Sequence, residues 1–368
     1  MKPYEVRIQL QKIRRDKSLW ELFQCDKGKN ETLRLALAKA LQYDRKKEDQ
    51  SLIRYALEQE VQWKSIDPYQ GYNETLNILS FLLARYRNTE NAFLFERAKY
   101  ANFDTACGYE ELFAFTAGVQ KTWDYVSQFE LGDSNPIFFE EKDAYEDLTE
   151  EEIENLLKSL EDDYSDDRSL LSVEDLFEEA LDLEDEQACQ TLFSEIEKKE
   201  NDCKALYDRA VRAELYEKAI IYGEAAYKEN LSVSEKMYMA LSLMRVYSLL
   251  GEYETSLIKA KDSHMYLTED IEKVQNSIGL TFVERIFKTS IQIAEAGQID
   301  YAKSIFNIGD DIYKKRKQMS HTTAELAYEC CELTQSEHLP YYESQYNTYK
   351  ADTEAFMDRV MAASRGEA

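Results

Sequence analysis

The stretch that decides the fold is NETLRLALAKALQY, residues 30–43, which returns as NETLNILSFLLARY at residues 73–86. In each copy an Asn that can cap a helix precedes apolar residues at helical spacing, and the stretch ends in a tyrosine. A polar break and a second apolar stretch follow both copies. This shared order of helix, break and helix favours a repeated unit over a chance match of four letters.

The two copies begin 43 residues apart, a spacing typical of two-helix, HEAT-like repeats. A third pair is predicted from YEELFAFTAGV, which starts at Tyr109, and from QKTWDYVSQF, with the junction near Gly118. Units of this kind bury their apolar faces only by stacking on neighbours. The sequence therefore predicts a HEAT-like helical-repeat domain over residues 1–132.

Composition predicts that the whole chain is all-α and limits its partners. Only 4 Pro and 11 Gly occur in 368 residues, and 44% of the residues are apolar. No apolar run is long enough to cross a bilayer, and the N-terminus does not resemble a signal peptide, so we expect a cytoplasmic protein without membrane contact. The net charge of −27 disfavours direct binding of nucleic acid and favours a basic protein partner.

Most of that charge lies in one part of the chain. Residues 133–187 hold 23 Asp or Glu against three basic residues. LTEEEIENLLKSL has the capping pattern Thr149 and Glu152 and predicts one short helix, and EDDYSDDRS predicts a solvated loop. Residues 133–172 are predicted to be an acidic linker or a partner-binding segment.

As a binding segment, this stretch combines carboxylates with aromatic anchors, the composition expected of a surface that engages a basic protein. The candidate partner-binding residues are Phe138, Phe139, Glu140, Glu141, Asp143, Tyr145, Glu146, Asp147, Asp162, Asp163, Tyr164, Asp166 and Asp167. Two alternatives stay open. The segment is a solvated linker, or it docks on the chain's own basic cluster of Lys12, Arg14, Arg15 and Lys17.

From Val173 helical units resume and continue to 340. MALSLMRVYSLLGEYETSLIKAKDS, residues 239–263, places an aromatic, Leu-Gly, a second aromatic and a small residue in the order of a tetratricopeptide (TPR) repeat, which it resembles. Related units are RAELYEKAIIYGEAA, AEAGQIDYAKSIFNIGDD and the weaker LDLEDEQACQTLFSEI. Their small residues, which let two helices cross closely, are Ala188, Ala219, Ser256 and Ala302. The resemblance implies a groove that binds peptides or protein segments. With the N-terminal array, it predicts a helical-repeat solenoid of two arrays joined by the acidic segment.

The C-terminal residues 341–368 predict one last helix. Its apolar stripe has steps of four and three residues and consists of Tyr342, Tyr346, Tyr349, Thr353, Phe356 and Val360. The stripe is interpreted as a cap on the repeat array. Dimerisation or contact with a partner is the alternative, and the oligomeric state is left open.

The sequence shows no pattern typical of catalysis, so no catalytic residue, metal site or cofactor is predicted. The three histidines lack metal-binding spacing, and the six cysteines form no CxxC pair. Cys107 is the best candidate nucleophile, on the expectation that it lies at a helix start. Asp104 and Glu110 would oppose its thiolate form, so a turn cysteine without catalytic role is favoured.

Residues 97–126, RAKYANFDTACGYEELFAFTAGVQKTWDYV, resemble helical immunity proteins that protect bacteria from toxins. That resemblance implies a toxin domain as partner and inhibition by occlusion. The leading hypothesis is therefore a non-catalytic protein that sequesters a basic partner, most plainly as an immunity protein. The alternative is a TPR-type adaptor or peptide-responsive regulator.

Overall fold

The computed structural model describes residues 1–26, 29–66, 71–229, 231–317 and 319–364, with no side chains described at 357, 358 or 360–364. These ranges contain α-helices and 3-10 turns and no β-strand, which confirms the predicted all-α fold. Neighbouring helices along the chain pack as adjacent pairs, as expected of helical repeats. Two compact units are formed, Met1–Glu195 and Ile196–Ala368. The acidic segment lies within the first unit.

The helices that begin in the first unit are α1 Glu5–Arg15, α2 Glu31–Tyr43, α3 Gln50–Ile66, α4 Glu74–Ala84, α5 Ala92–Lys99, α6 Phe103–Gly108, α7 Val119–Val126, α8 Glu150–Asp163, α9 Val173–Asp182 and α10 Glu186–Ile196. Short 3-10 turns lie at Lys17–Phe23, Lys47–Asp49, Thr89–Asn91, Glu111–Phe115, Lys142–Tyr145 and Arg168–Leu170. The helices of the second unit are α11 Cys203–Arg212, α12 Tyr216–Tyr227, α13 Val233–Leu249, α14 Tyr253–Thr268, α15 Ile271–Gln275, α16 Ser277–Glu295, α17 Ile299–Lys315, α18 His321–Thr334 and α19 Leu339–Ser364.

Both NETL copies start a helix, and the order predicted from them is present twice. α2 is followed by a 3-10 turn and α3, and α4 is followed by a 3-10 turn and α5. The copies differ in their caps: the Asn73 side chain accepts a hydrogen bond from the backbone N–H of Leu76, whereas that of Asn30 makes no cap bond. The second helix is also shorter in the second copy: α5 has 8 residues, whereas α3 of the first copy has 17.

The predicted third pair departs from this pattern in its first helix. Residues 111–115 form a 3-10 turn instead of an α-helix, and Gly118 precedes α7 with a φ of 113°. Phe113, Ala114 and Phe115 of this turn are all buried.

A charged pair lies in the core of the first unit. Arg34 and Glu60 are both fully buried, and Arg34 Nε donates to Glu60 Oε2 at 2.5 Å. Glu60 also accepts from Asn73 Nδ2 at 2.8 Å, and Lys64 Nζ lies 3.7 Å from it. α2, α3 and the second NETL copy are therefore linked by one polar network inside an apolar core.

The two helices of five pairs are joined by turns of the same conformation. One or two residues after the first helix of each pair, one residue has a left-handed φ: Glu184, Glu214, Gly251, Gly297 and Gln335. In every case the next backbone N–H reaches back five residues, as Leu215 does to the Ala210 carbonyl and Glu252 to that of Tyr247. The turns join α9–α10, α11–α12, α13–α14, α16–α17 and α18–α19, so these pairs are repeats of one local structure.

The small residues predicted at the helix crossings are mostly buried. Ala219, Ser256 and Ala302 have no exposed surface, and Ser256 Oγ donates to the Met244 carbonyl oxygen at 2.8 Å across its pair. Ala188, in the weaker unit, is half-buried. Close approach of the paired helices therefore depends on these positions.

The first part of α19 covers other helices. Tyr342 is fully buried, with its ring 5.7 Å from Phe306 and 5.1 Å from Tyr313, and Tyr346 stacks on Tyr328. Residues 350–356 are exposed, Phe356 by 56%. Val360 of the predicted stripe lies outside the described side chains.

Candidate binding sites

The acidic segment, residues 133–172, is anchored by a buried carboxylate. Glu96 is 1% exposed and accepts from Asn135 Nδ2 at 2.9 Å and from the backbone N–H of Ile137 at 3.1 Å. Burial raises the pKa of Glu96, and these two hydrogen bonds oppose the rise. The start of the segment is thereby fixed to α5.

The aromatic residues proposed as anchors for a partner mostly serve the unit itself. Phe138 is 1% exposed and packs among Phe93, Phe115 and Trp123, with ring centroids 5.6 to 5.7 Å away. Tyr145 is 8% exposed and lies 5.3 Å from Phe115.

Tyr164 lies 5.8 Å from Phe81, and burial raises its pKa to about 12. The Tyr164 side chain is half-buried, whereas those of Phe138 and Tyr145 are buried. These three rings pack in the core of the unit together with the buried Ile137, Ile153 and Leu157. Of the four predicted aromatic anchors, Phe139 is the exposed one, at 53%.

The predicted carboxylates face solvent. All of them belong to exposed residues, namely Glu140, Glu141, Asp143, Glu146, Asp147, Asp162, Asp163, Asp166 and Asp167. Asp166 pairs with Arg85 at 2.6 Å, and the Ser169 hydroxyl and backbone N–H lower the pKa of Asp167. Within the described ranges, no ion pair is formed by Glu140, Asp143, Glu146, Asp147, Asp162 or Asp163. An unpaired acidic surface is thus held on an ordered frame.

None of the described ion pairs of the acidic segment involves the basic N-terminal cluster of Lys12, Arg14, Arg15 and Lys17. Arg14 is instead bound to Asp49 by two hydrogen bonds of 2.8 and 2.7 Å and to Asp44 at 2.7 Å. The cations that meet the segment are Arg85 and Arg87, after α4, where Arg87 lies 2.8 Å from Glu154. Intramolecular pairing is therefore partial and comes from a different part of the sequence.

A second candidate site is a groove of the second unit, in the part of the chain where the resemblance to TPR repeats implies a groove; its lining residues and its charge were not predicted. Its volume is about 740 Å³, and its walls are side chains from the first helices of three successive pairs, α11, α13 and α16. We call it the central groove. It is lined by Tyr207, Asp208, Val211, Arg212, Leu241, Ser242, Arg245, Val246, Leu249, Arg285, Lys288, Thr289 and Gln292.

Two hydrogen bonds set the register of the groove walls. Arg285 Nη1 donates to Ser242 Oγ at 3.4 Å, and Gln292 Nε2 donates to Ser248 Oγ at 3.3 Å. The contacts advance together along both helices, so α13 and α16 run in the same direction. Burial raises the pKa of Tyr207, so its hydroxyl stays protonated beside Ser242.

The exposed charges of the central groove are mainly positive. Arg245, Arg285 and Lys288 are exposed residues, and none of the three forms an ion pair within the part of the chain that the structure describes. Asp208 is the acidic residue of the lining, and burial raises its pKa. A cationic groove on a chain of net charge −27 is the opposite of what composition predicts.

The groove also has an apolar wall and a side cavity. Val211, Leu241, Val246 and Leu249 line it, and Leu249 is 36% exposed. A cavity of about 300 Å³ shares Tyr207, Asp208, Ser242 and Arg285 and adds Lys204, Leu231, Glu235, Tyr238 and Met239. Charge, hydrogen-bonding groups and apolar surface therefore converge, as in sites that bind extended ligands.

A signal for the groove was present in the sequence. Arg245 interrupts the apolar stretch LSLMRVYSLL, and Arg285 and Lys288 are three residues apart in α16, which places them on one helix face. The repeats were interpreted as scaffold, and three cations separated by up to 43 residues form no motif. Only the parallel packing of the first helices brings them together.

The candidate nucleophile, metal-binding groups and membrane-spanning helices considered from the sequence can be checked in the structure. Cys107 is exposed and lies one residue before the end of the short helix α6, not at a helix start. In the described residues, no three His, Cys, Asp or Glu side chains converge as metal ligands. Among the described helices, none has the length and apolar composition needed to span a bilayer.

Comparisons with protein-family models, curated proteins and solved structures found no match to this chain.

Proposed function

We propose that this chain is a non-catalytic binding protein whose central groove holds a segment of a partner protein. The observation that carries the proposal is the groove itself, in which three helices present exposed cations, hydroxyl groups and an apolar wall around one cavity. The repeated helix pairs with one shared turn support the resemblance to TPR repeats, which implies a groove that binds peptides or protein segments. In this role the protein is an adaptor or peptide-responsive regulator.

The lining residues favour recognition over reaction chemistry. The lining contains no histidine or cysteine, and burial raises the pKa of Tyr207 further above neutral pH. Arg, Lys, Gln and Ser side chains bind carbonyl or carboxylate groups by hydrogen bonds, and Leu249 offers an apolar contact. Such a mixture suits a peptide segment, which carries both kinds of group at regular spacing.

Site-specific crosslinking tests the groove. A photoreactive residue is placed at Leu249, and in a matched control at Ile221, which is 60% exposed on α12 and does not line the groove. Adducts formed in extract of the native host are identified by mass spectrometry, and the binding of each purified partner to wild type and Leu249→Asp is measured by calorimetry. We expect a partner that crosslinks at 249 only and binds Leu249→Asp at least about tenfold more weakly. Equal crosslinking at both positions, or unchanged affinity, contradicts the proposal.

A second candidate function is neutralisation of a basic partner by the acidic surface. The specific partner proposed is a bacterial toxin domain. This function is favoured by the exposed carboxylates of Glu140, Asp143, Glu146 and Asp147, which form no ion pair in the described residues. Phe138 and Glu96 hold that stretch in place. A preorganised acidic surface pays little ordering entropy when it binds, and it accelerates encounter with a cation. The resemblance of residues 97–126 to helical immunity proteins points the same way.

Matched charge removal separates the two functions. The first variant converts Glu140, Glu141, Asp143, Glu146 and Asp147 to amides. The control converts the exposed Glu217, Glu229, Glu254, Glu269 and Glu295 of the second unit to Gln, with the same change in net charge. Neutralisation predicts that the first variant loses about tenfold or more in affinity for the identified partner and much of its salt dependence, while the control loses little. Equal losses would show that only net charge matters.

A further inference from the structure

We propose that the segment bound by the central groove is acidic, with at least two neighbouring carboxylates that are met by Arg245, Arg285 and Lys288. This inference rests on the proposed groove function and adds the chemical class of the ligand. It also reverses the expectation from net charge, which favours basic partners for every surface of the chain.

The register of α13 and α16 places the three cations in two levels. Arg285 is level with Ser242 because the two side chains are hydrogen bonded. Three residues further along each helix are Arg245 and Lys288, so these two side chains share the next level. Each residue rises about 1.5 Å along a helix, so the levels are about 4.5 Å apart.

The spacing suits carboxylates on one side of a peptide. In an extended segment, side chains two residues apart point the same way and lie about 6.6 to 6.8 Å apart. Side chains four residues apart on a helix rise by about 6 Å. The flexible Arg and Lys side chains bridge the small difference, and guanidinium groups bind carboxylates by two parallel hydrogen bonds.

Charge inside the groove selects the sign of the ligand. Three exposed cations without ion-pair partners in the described residues repel lysine and arginine side chains, and Asp208 is the acid placed to offset them. An acidic segment replaces solvent around these cations with carboxylates. The exposed Leu249 lies one helical turn beyond Arg245 on α13 and receives an apolar side chain of the same segment.

The test is a selection from random twelve-residue peptides displayed on phage against the full chain. The groove variant is Arg245→Gln, Arg285→Gln and Lys288→Gln. Its control is Lys228→Gln, Lys261→Gln and Lys303→Gln, three exposed lysines that do not line the groove, with the same net charge. Circular dichroism and thermal unfolding confirm that both variants fold.

We expect peptides rich in Asp and Glu to be enriched on the wild type and on the control but not on the groove variant. By fluorescence anisotropy, an enriched peptide should bind at least about tenfold more weakly when its carboxylates become amides or when the groove variant is used, since hydrogen bonds to charged groups are lost.

The other outcomes overturn the inference in distinguishable ways. If the enriched peptides are neutral or basic and lose binding to Leu249→Asp, the groove binds segments but the ligand is not acidic. If no peptide depends on either groove variant, the proposed groove function fails together with the inference. If the control variant loses acidic peptides as the groove variant does, the effect is one of net charge, and the assignment to Arg245, Arg285 and Lys288 is wrong.

Discussion

Asn73 Nδ2 lies 2.8 Å from Glu31 Oε1, so the first residue of the second NETL copy is hydrogen bonded to the second residue of the first copy. The same amide donates to the buried Glu60, and its oxygen caps α4 by accepting from the N–H of Leu76. Lys39 and Glu74, at 2.5 Å, link the copies a second time. The repeated tetrapeptide is therefore where successive repeats meet.

Replacing the asparagine should destabilise the protein more in the second NETL copy than in the first. Asn73→Ala removes a helix cap and a hydrogen bond to a buried carboxylate, and we expect a loss of about 1 to 3 kcal/mol in the free energy of unfolding. Asn30→Ala should cost less, because Asn30 makes no cap bond. Urea unfolding followed by circular dichroism measures both, and equal losses would show that the Asn73 contacts add nothing.

The buried pair of Arg34 and Glu60 should show strong coupling. Arg34→Met removes the hydrogen-bonded cation of the buried Glu60 and leaves it Lys64 at 3.7 Å, and it is expected to cost about 3 to 5 kcal/mol. The double variant with Glu60→Met should lose less than the sum of the two single variants by about 1 to 3 kcal/mol. A double-mutant cycle from urea unfolding tests this, and additive losses would contradict a direct interaction.

Phe138 and Phe139 are adjacent and should behave differently. Phe138→Ala opens a cavity among Phe93, Phe115 and Trp123 and is expected to cost about 3 to 5 kcal/mol. Phe139→Ala changes an exposed side chain, so we expect a change within about 0.5 kcal/mol. Thermal unfolding gives the stabilities, and hydrogen exchange of residues 133–147 shows whether the acidic segment loosens in the Phe138 variant alone.

The cap of α13 should make the second unit sensitive to acid. Hydrogen bonds from the Ser232 hydroxyl and backbone N–H lower the pKa of Glu235 below its usual value of 4.5. A carboxylate with a lowered folded-state pKa stabilises the fold fully above the unfolded pKa, and this contribution is lost as pH falls through the folded pKa. Glu235→Gln should therefore flatten the pH dependence of the melting temperature below about pH 4.5. An unchanged pH profile would argue against the cap.

The shared left-handed turn predicts opposite effects at two equivalent positions. Glu214 has a φ of 56° and Gly251 a φ of 76°, a region that costs residues other than glycine about 1 to 2 kcal/mol. Gly251→Ala should lower the free energy of unfolding by about 1 kcal/mol, and Glu214→Gly should leave it unchanged or raise it by up to about 1 kcal/mol. Destabilisation by both substitutions would show that the two turns are not equivalent.

Local patterns predicted the elements that depend on neighbours in sequence. Thr149 and Glu152 predicted the capping box of α8, and each bonds the other's backbone N–H as expected. The small residues Ala219, Ser256 and Ala302 predicted the crossings of three helix pairs, because a close crossing is decided by the residue at the crossing point. The 3-10 turn at residues 111–115 was not predicted, because a run of buried apolar residues also occurs in an α-helix, as in α4.

The candidate sites were predicted less completely. Composition located the acidic surface at residues 140–147 but could not show which aromatic ring points outward. Phe138 and Phe139 are chemically identical, and the choice between them is made by Phe93, Phe115 and Trp123, at least 15 residues away in sequence. A groove was expected in the second unit, but its cationic lining was not predicted, because Arg245 and Arg285 become neighbours only through the packing of α13 and α16.

By itself the sequence determined that the chain forms helices, where most of them begin, that they occur in repeated pairs, and where the negative charge lies. These properties follow from side-chain spacing, caps and composition within a few residues. Tertiary structure alone decided which aromatic rings enter the core and that the groove is positive, because both depend on contacts between helices distant in the chain. A net charge describes the whole molecule, whereas a binding site is determined by the few side chains that packing places around it.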